Sequence, residues 1–254
     1  MDNTTEKPKY QFGLLGKEID YSFSRAYFSE KFKKENLEQH SYVNFDIKKI
    51  DHFLDVIKNN TNLAGLNVTI PYKETVIPYL DKINKKASKI GAVNTIKFNK
   101  KKQLIGYNTD WFGFKKALKP YLKKHHKKAL ILGTGGASKA VAFTLKKLDI
   151  KVEYVYRTLS KKAKYSYESL TETIVKKHTI IINTTPVGTF PDIENAPSIP
   201  YSGITKKHLV FDLIYNPIET QFLNLSKQQG AQTLNGLPML AYQAEKSWEI
   251  WNKK

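Results

Sequence analysis

The sequence predicts an α/β protein of two domains. Three observations predict it. Short apolar runs of strand length alternate with stretches of helical periodicity along most of the chain. A glycine-rich turn, Gly133-Thr134-Gly135-Gly136, separates one such run from a helix in the second half. The first half carries a strand-and-helix set of its own, so a single sheet does not account for the 254 residues.

Hydrophobic content of 41% and aromatic content of 12% belong to a chain that buries a core. With no cysteine there are no disulfides and no thiolate metal sites, and the six histidines show no metal-ligand spacing. The first residues hold no apolar run and no stretch approaches the roughly 18 apolar residues of a membrane helix, so the expectation is a cytoplasmic protein without membrane contact. The net charge of +19 raises nucleic acid as a partner. The excess is almost all lysine, however, in scattered groups without interleaved aromatics, which describes solvated faces; no nucleic-acid partner is expected.

In order, Tyr10–Leu15 reads as a strand closed by Gly16, and a loop with Ser22 and Ser24 leads to a helix over 26–35, Ser24 standing where a cap is wanted. Strand 41–45, helix 51–60 and strand 63–70 follow. Pro71 is read as the first residue of a further helix running from Tyr72 through Leu80, because its missing N–H is no loss there. Thr69 and Lys73 thus flank a strand-to-helix junction, where side chains converge on a ligand. A lysine is able to donate and take back a proton once its pKa is drawn down from about 10.4. Residues 91–98 and 103–107 form a hairpin. Asp110 caps a long helix from Trp111 to about Leu122.

The second half opens with strand 129–132, the glycine turn through Ala137 and Ser138, and a helix to about Leu148. Glycines at such a junction let backbone N–H groups approach a pyrophosphate at a helix N-terminus, and the strand over 152–156 follows at βαβ spacing, which makes this a Rossmann-type dinucleotide site. The end of that second strand selects the dinucleotide. It carries Tyr156-Arg157-Thr158, with Lys161 a turn on, and no acid for a ribose 2′-hydroxyl; NADP is favoured over NAD. Strands at 179–183 and 209–213, a helix at 220–229 and a last helix to Trp251 complete the alternation. That last helix places Leu240, Ala244, Trp248 and Trp251 on one face.

Seven stretches in order over nearly the whole chain give it a family likeness: Ser22-Phe23-Ser24, Asn67-Val68-Thr69-Ile70-Pro71-Tyr72-Lys73, Gly91-Ala92-Val93-Asn94-Thr95, Asn108-Thr109-Asp110, Gly133-Thr134-Gly135-Gly136-Ala137, Tyr215-Asn216-Pro217 and Gln243. The chain resembles the NADP-dependent shikimate dehydrogenases. The resemblance implies an N-terminal α/β substrate domain (1–109 plus 236–254), a Rossmann-type NADP-binding domain (110–235) and a last helix that returns to the substrate domain. It implies Lys73 as acid/base with Asp110 as its partner, and Ser22, Ser24, Asn67, Thr69, Asn94, Tyr215 and Gln243 as substrate contacts. For NADP it implies Gly133, Thr134, Gly135, Gly136, Ala137, Tyr156, Arg157, Thr158, Lys161, Thr184 and Gly236. A monomer or a homodimer is expected. The chain departs from the family where asparagine usually precedes the Arg-Thr pair (here Tyr156), where arginine is common (here Lys161) and where methionine is frequent (here Thr189). Related quinate/shikimate dehydrogenases often prefer NAD, and Arg157 argues against that preference. A binding module without turnover is a further alternative, opposed by the retention of both Lys73 and Asp110.

Overall fold

The apolar runs become strands, and the register of those strands decides where the polar residues end up. The computed structural model describes residues 9–20, 22–158 and 164–253. The chain divides into two compact units, Met1–Thr109 with Lys246–Lys254, and Asp110–Glu245. The second boundary falls inside the last helix rather than ahead of it.

In the first unit the strands are β1 (Tyr10–Gly16), β2 (His40–Asp46), β3 (Leu63–Val68), β4 (Lys82–Ile83), β5 (Thr95–Phe98) and β6 (Leu104–Tyr107), with helices α1 (Phe23–Lys34), α2 (Phe53–Asn59) and α3 (Lys85–Ile90). Their order across the sheet is β2-β1-β3-β5-β6-β4. β1 lies parallel to both β2 and β3, whereas β5 runs antiparallel to β3 and to β6. One face of this sheet packs Leu15, Leu66, Val68 and Ile96 against Phe53, Tyr72, Val76 and Ala87. Aromatic rings gather around Phe28, which stacks on Tyr42 at 4.6 Å and lies 5.4 Å from Trp251. Gly65 is required there: a Cβ would lie 2.4 Å from the Trp251 ring nitrogen. That nitrogen donates to the Ile96 carbonyl at 2.9 Å.

The second unit contains β7 (Lys128–Leu132), β8 (Lys151–Tyr156), β9 (Tyr165–Ser166), β10 (Ile180–Asn183), β11 (Leu209–Asp212) and β12 (Gln232–Leu234), with helices α4 (Asp110–Leu118), α5 (Gly136–Lys147), α6 (Glu172–Lys177) and α7 (Gln221–Gln228). The last helix, α8 (Leu237–Asn252), begins here and ends in the first unit. The six strands are all parallel, in the order β12-β11-β10-β7-β8-β9. Alternate residues point to opposite faces, so both faces must be covered. Ala129, Ile131, Ile180, Ile182 and Phe211 face Phe114, Val141, Leu145 and Met239, while Leu130, Leu132, Ile181 and Val210 face Val175, Phe222 and Leu223. Burial of one such Phe or Leu side chain is worth about 1.5–3 kcal/mol.

Four local expectations need correction. Residues 70–76 form consecutive turns and Ile77–Tyr79 a single 3-10 turn, in place of a helix from Tyr72. Thr75, Val76 and Ile77 are β-branched and Pro78 clashes with the preceding turn, which outweighs a favourable proline at the start. Helix α1 starts at Phe23 because Ser22, not Ser24, is its cap: the backbone of Ser22 is extended and its hydroxyl accepts from the Ser24 N–H at 3.3 Å. Asp110 is the first helical residue of α4, which gives way after Leu118 to a 3-10 turn containing Pro120. The buried stripe of α8 contains Met239, Ala244, Ser247 and Trp251, with Leu240 only half-buried.

Candidate active site

In the first unit, sheet register gathers the singled-out residues at one edge. Ser22 follows the carboxyl end of β1, and Thr69 and Lys73 follow that of β3. β5 is antiparallel, so its beginning lies beside the end of β3, with Asn67 opposite Thr95. Thr95 in turn pairs with Tyr107 at the end of β6, which brings Asn108 and Thr109 to the same edge. In open α/β sheets ligands bind outside the carboxyl ends of strands.

The turn bearing Lys73 is fastened by backbone bonds. Thr69 donates its N–H to Leu15 O at 2.9 Å, and its carbonyl accepts from Tyr72 N–H at 2.9 Å. The Lys73 carbonyl accepts from Val93 N–H at 2.7 Å, and the Asn94 carbonyl accepts from Val68 N–H at 2.9 Å. The Lys73 and Asn94 main chains therefore share one bonded frame. Lys73 itself is half-buried, and Asp110 is buried at the start of α4.

Below this edge lies a buried cluster of neutral polar groups. Asn67 Nδ2 donates to the Asn94 carbonyl at 3.2 Å and to Ser247 Oγ at 3.0 Å. A carbonyl only accepts, so the amide orientation is fixed and Asn67 Oδ1 faces Tyr42, whose hydroxyl donates to it at 2.9 Å. Burial pushes the Tyr42 phenol far up, with the Ser24 hydroxyl pulling the other way, so Tyr42 keeps its proton. Asn94 Oδ1 accepts from Thr109 N–H at 2.6 Å, and Asn94 Nδ2 donates to Thr109 Oγ1 at 3.0 Å. Thr95 Oγ1 lies 2.8 Å from Ser247 Oγ and 3.2 Å from Thr109 Oγ1. Tyr42, Thr95, Thr109 and Ser247 do not figure among the expected site residues. The signal for Ser247 is a hydroxyl on an otherwise apolar helix stripe, three residues from Ala244.

In the second unit the expected cofactor residues that are described lie at or just after the carboxyl ends of parallel strands, Tyr156 as the last residue of β8, while Gly136 and Ala137 open α5. The chain goes from β7 to β8 on one side and later returns to β10 on the other, so the sheet changes direction between β7 and β10. Gly133 sits there with φ +100°, a conformation that favours glycine, and a Cβ would lie 3.0 Å from Thr184 Oγ1. Thr184 Oγ1 donates to the Leu132 carbonyl at 2.6 Å. A Cβ on Gly135 would meet nothing within 4 Å. Gly135 caps α5 without a side-chain bond to its first amides. An uncapped helix start beneath an open glycine turn fits a pyrophosphate. At the end of β8, Arg157 is exposed and donates to Tyr156 Oη at 3.2 Å, with its guanidinium carbon 5.5 Å from the ring centre. The hydrogen bond and nearby phenol hold the Arg157 pKa up, so the fork stays charged. Thr158 is exposed beside it, and Lys161 lies outside the described residues.

Gly236 has a packing reason of its own: a Cβ would lie 2.0 Å from the Leu213 carbonyl oxygen. Gln243, on α8, is held against α4 at Gly113, where a Cβ would lie 3.0 Å from Gln243 Cβ, and its Nε2 donates to Leu240 O at 3.1 Å. Tyr215 is half-buried in the loop after β11. Among the described residues no group of three or more His, Cys, Asp or Glu could hold a metal ion, and no helix is long and apolar enough to cross a membrane.

Residues 14–96 match the family model of the shikimate dehydrogenase substrate binding domain. The chain is 40% identical to the NADP(+)-dependent shikimate dehydrogenase of Methanosphaera stadtmanae, over 95% of this chain and 91% of that protein. A crystal structure of a shikimate dehydrogenase in complex with NADP+ shares 35% identity with it at a TM-score of 0.84, covering 96% of this chain and 90% of that one. The Thermus thermophilus enzyme in complex with NADP(H) and shikimate is 30% identical at a TM-score of 0.84, covering 96% and 93%.

Proposed function

The chain belongs to the shikimate dehydrogenase family and reversibly reduces 3-dehydroshikimate to shikimate with NADPH, and from that premise we propose which residues do the work. Lys73 is the acid/base at the reacting oxygen and Asp110 its orienting partner. Ser22, Ser24, Thr69, Asn94, Tyr215 and Gln243 contact the substrate. Asn67, whose amide is committed at both ends inside the protein, supports Asn94 from below. The unit formed by 1–109 and the chain's last residues receives the substrate, and the unit from Asp110 receives NADP, through the Gly133–Ala137 turn, Thr184 and the Arg157 fork.

Oxidising a secondary alcohol removes a hydride from carbon and a proton from oxygen. When bound, NADP supplies the hydride acceptor. The protein must supply the rest: hold the alcohol still, take its proton and return it in the reverse direction. Lys73 Nζ accepts that proton from the substrate hydroxyl and gives it back to the carbonyl oxygen. The observation that carries this reading is the shared backbone frame of Lys73 and Asn94, which puts a proton-transfer group and a polar amide at one strand edge.

The reading is tested by following nicotinamide absorbance with shikimate and with quinate, each with NADP and with NAD. Turnover of shikimate with NADP is expected. A clear preference for NAD would remove the role given to Arg157, and no turnover at all would leave a binding module. Sedimentation separates the monomer from the homodimer.

A further inference from the structure

The loops after β10 and β11 are tied together by one buried carboxylate. Asp212, the last residue of β11, has no exposed surface. Its Oδ1 accepts from Asn183 Nδ2 at 3.1 Å and from Ile214 N–H at 3.1 Å, and its Oδ2 accepts from Thr220 Oγ1 at 2.7 Å. Asn183, the last residue of β10, uses its Oδ1 for Thr185, accepting from its N–H at 3.0 Å and its hydroxyl at 2.6 Å. Those bonds leave the amide only one orientation, with Nδ2 toward Asp212. The same loops meet again where Phe190 N–H donates to Asn216 O at 3.2 Å. Thr220 also caps α7, accepting from Leu223 N–H at 3.3 Å.

A carboxylate so buried is costly unless its bonds hold something that matters. What they hold is the pair of loops that carry Thr184 and Tyr215. We propose that Asp212 is a positioning residue for both ligands, locking the Thr184 loop and the Tyr215 loop into one arrangement at the carboxyl edge of the sheet without touching either ligand. This rests on the functional reading above. Burial pushes the Asp212 carboxyl up to about 6, with the donors Thr220, Ile214 and Asn183 pulling it back. The ionised form makes the stronger, charge-assisted bonds to those donors, so the lock tightens as pH rises through that value. Among the described residues Tyr201 is the titratable group that responds to this carboxylate; its phenol is pushed up by its own burial and by Asp212, and it stays neutral in that range.

Asp212→Asn imitates the protonated form: its Oδ1 still accepts from Asn183 and Ile214, and its Nδ2 donates to Thr220 Oγ1. Asp212→Ala removes all three bonds, and Thr220→Val removes one donor. The measurements are NADP affinity by titration calorimetry, KM for shikimate, kcat and Tm between pH 5 and 7.5. The 2′-phosphate of NADP titrates in the same range, so the readout is the difference between variant and wild type. For Asp212→Asn at pH 7.5 we expect NADP Kd and shikimate KM both raised about threefold over the wild type, the difference vanishing at pH 5, with kcat nearly unchanged. For Asp212→Ala the rise is about tenfold in both. In Thr220→Val the midpoint of the wild-type pH dependence moves upward. Asp212→Asn superposing on the wild type in both constants at pH 7.5, or lowering Tm alone, overturns the proposal even if Asp212→Ala fails to fold. Lack of wild-type turnover would instead sink the functional reading, while calorimetry still reports on the Asp212 lock.

Discussion

The two units support their site edges with buried polar clusters of opposite kinds. In the first, Tyr42, Asn67, Asn94, Thr95, Thr109 and Ser247 are neutral amides and hydroxyls that satisfy one another. In the second, Asn183, Thr185, Ile214 and Thr220 are organised around the Asp212 carboxylate. Neutral groups cost little to bury once bonded, and their geometry does not change with pH. A carboxylate organises several donors at once, but its desolvation makes the arrangement sensitive to pH.

The largest effect is expected at the lysine proposed for proton transfer. Lys73→Ala should lower kcat on the order of 10²–10⁴-fold while KM for shikimate changes little. A change confined to KM would make Lys73 a binding residue. Next, Asn67→Ala strips a partner from Tyr42, Ser247 and the Asn94 carbonyl, so unfolding should show a loss of about 3 kcal/mol, seen as a Tm lower by about 6–12 °C. A loss below about 1 kcal/mol would break the claim that this cluster is a firm support. The charged cluster is read through pH. The Asp212 pKa is higher in the folded protein, about 6, than its ordinary value of 3.8, so between those values the folded state holds the extra proton. Stability should therefore fall as pH rises from about 4 to 6, by up to about 3 kcal/mol relative to Asp212→Asn, and level off above. Parallel curves for wild type and variant would remove the distinction between the clusters. The smallest effect is expected at a residue in neither: Arg157→Ala should raise KM for NADP about tenfold and leave NAD use almost unchanged.

The parallel strands and the glycine turn are legible in the sequence because their signals are local. Gly133 follows an apolar run and precedes a helix, and both neighbours are visible within a few residues of it. Lys73 falls after β3 as the sequence implies, yet its setting differs, since a proline at position 71 predicts a helix while Thr75, Val76, Ile77 and Pro78 forbid one. The supporting clusters are hidden for a different reason. Asn67, Thr95 and Ser247 meet only through sheet register and the return of α8, and sequence spacing carries neither. Asp212 sits in a run, Leu209–Leu213, that looks like any buried strand; a lone acid among apolar residues is the available hint.

The split of α8 between the units bears on the order in which the protein takes shape during synthesis. Chains are made from the N-terminus, and domains generally fold as they emerge. The unit from Asp110 to Glu245 is one continuous stretch and is complete once Glu245 has left the ribosome. The unit that begins the chain is the later one to finish. Its slot at Gly65 waits for Trp251, and the hydroxyls of Thr95 and Thr109 wait for Ser247. Until residues 246–253 arrive, Phe12 and Phe28 lack the Trp251 ring that packs on them, and apolar surface left uncovered during synthesis is prone to aggregation.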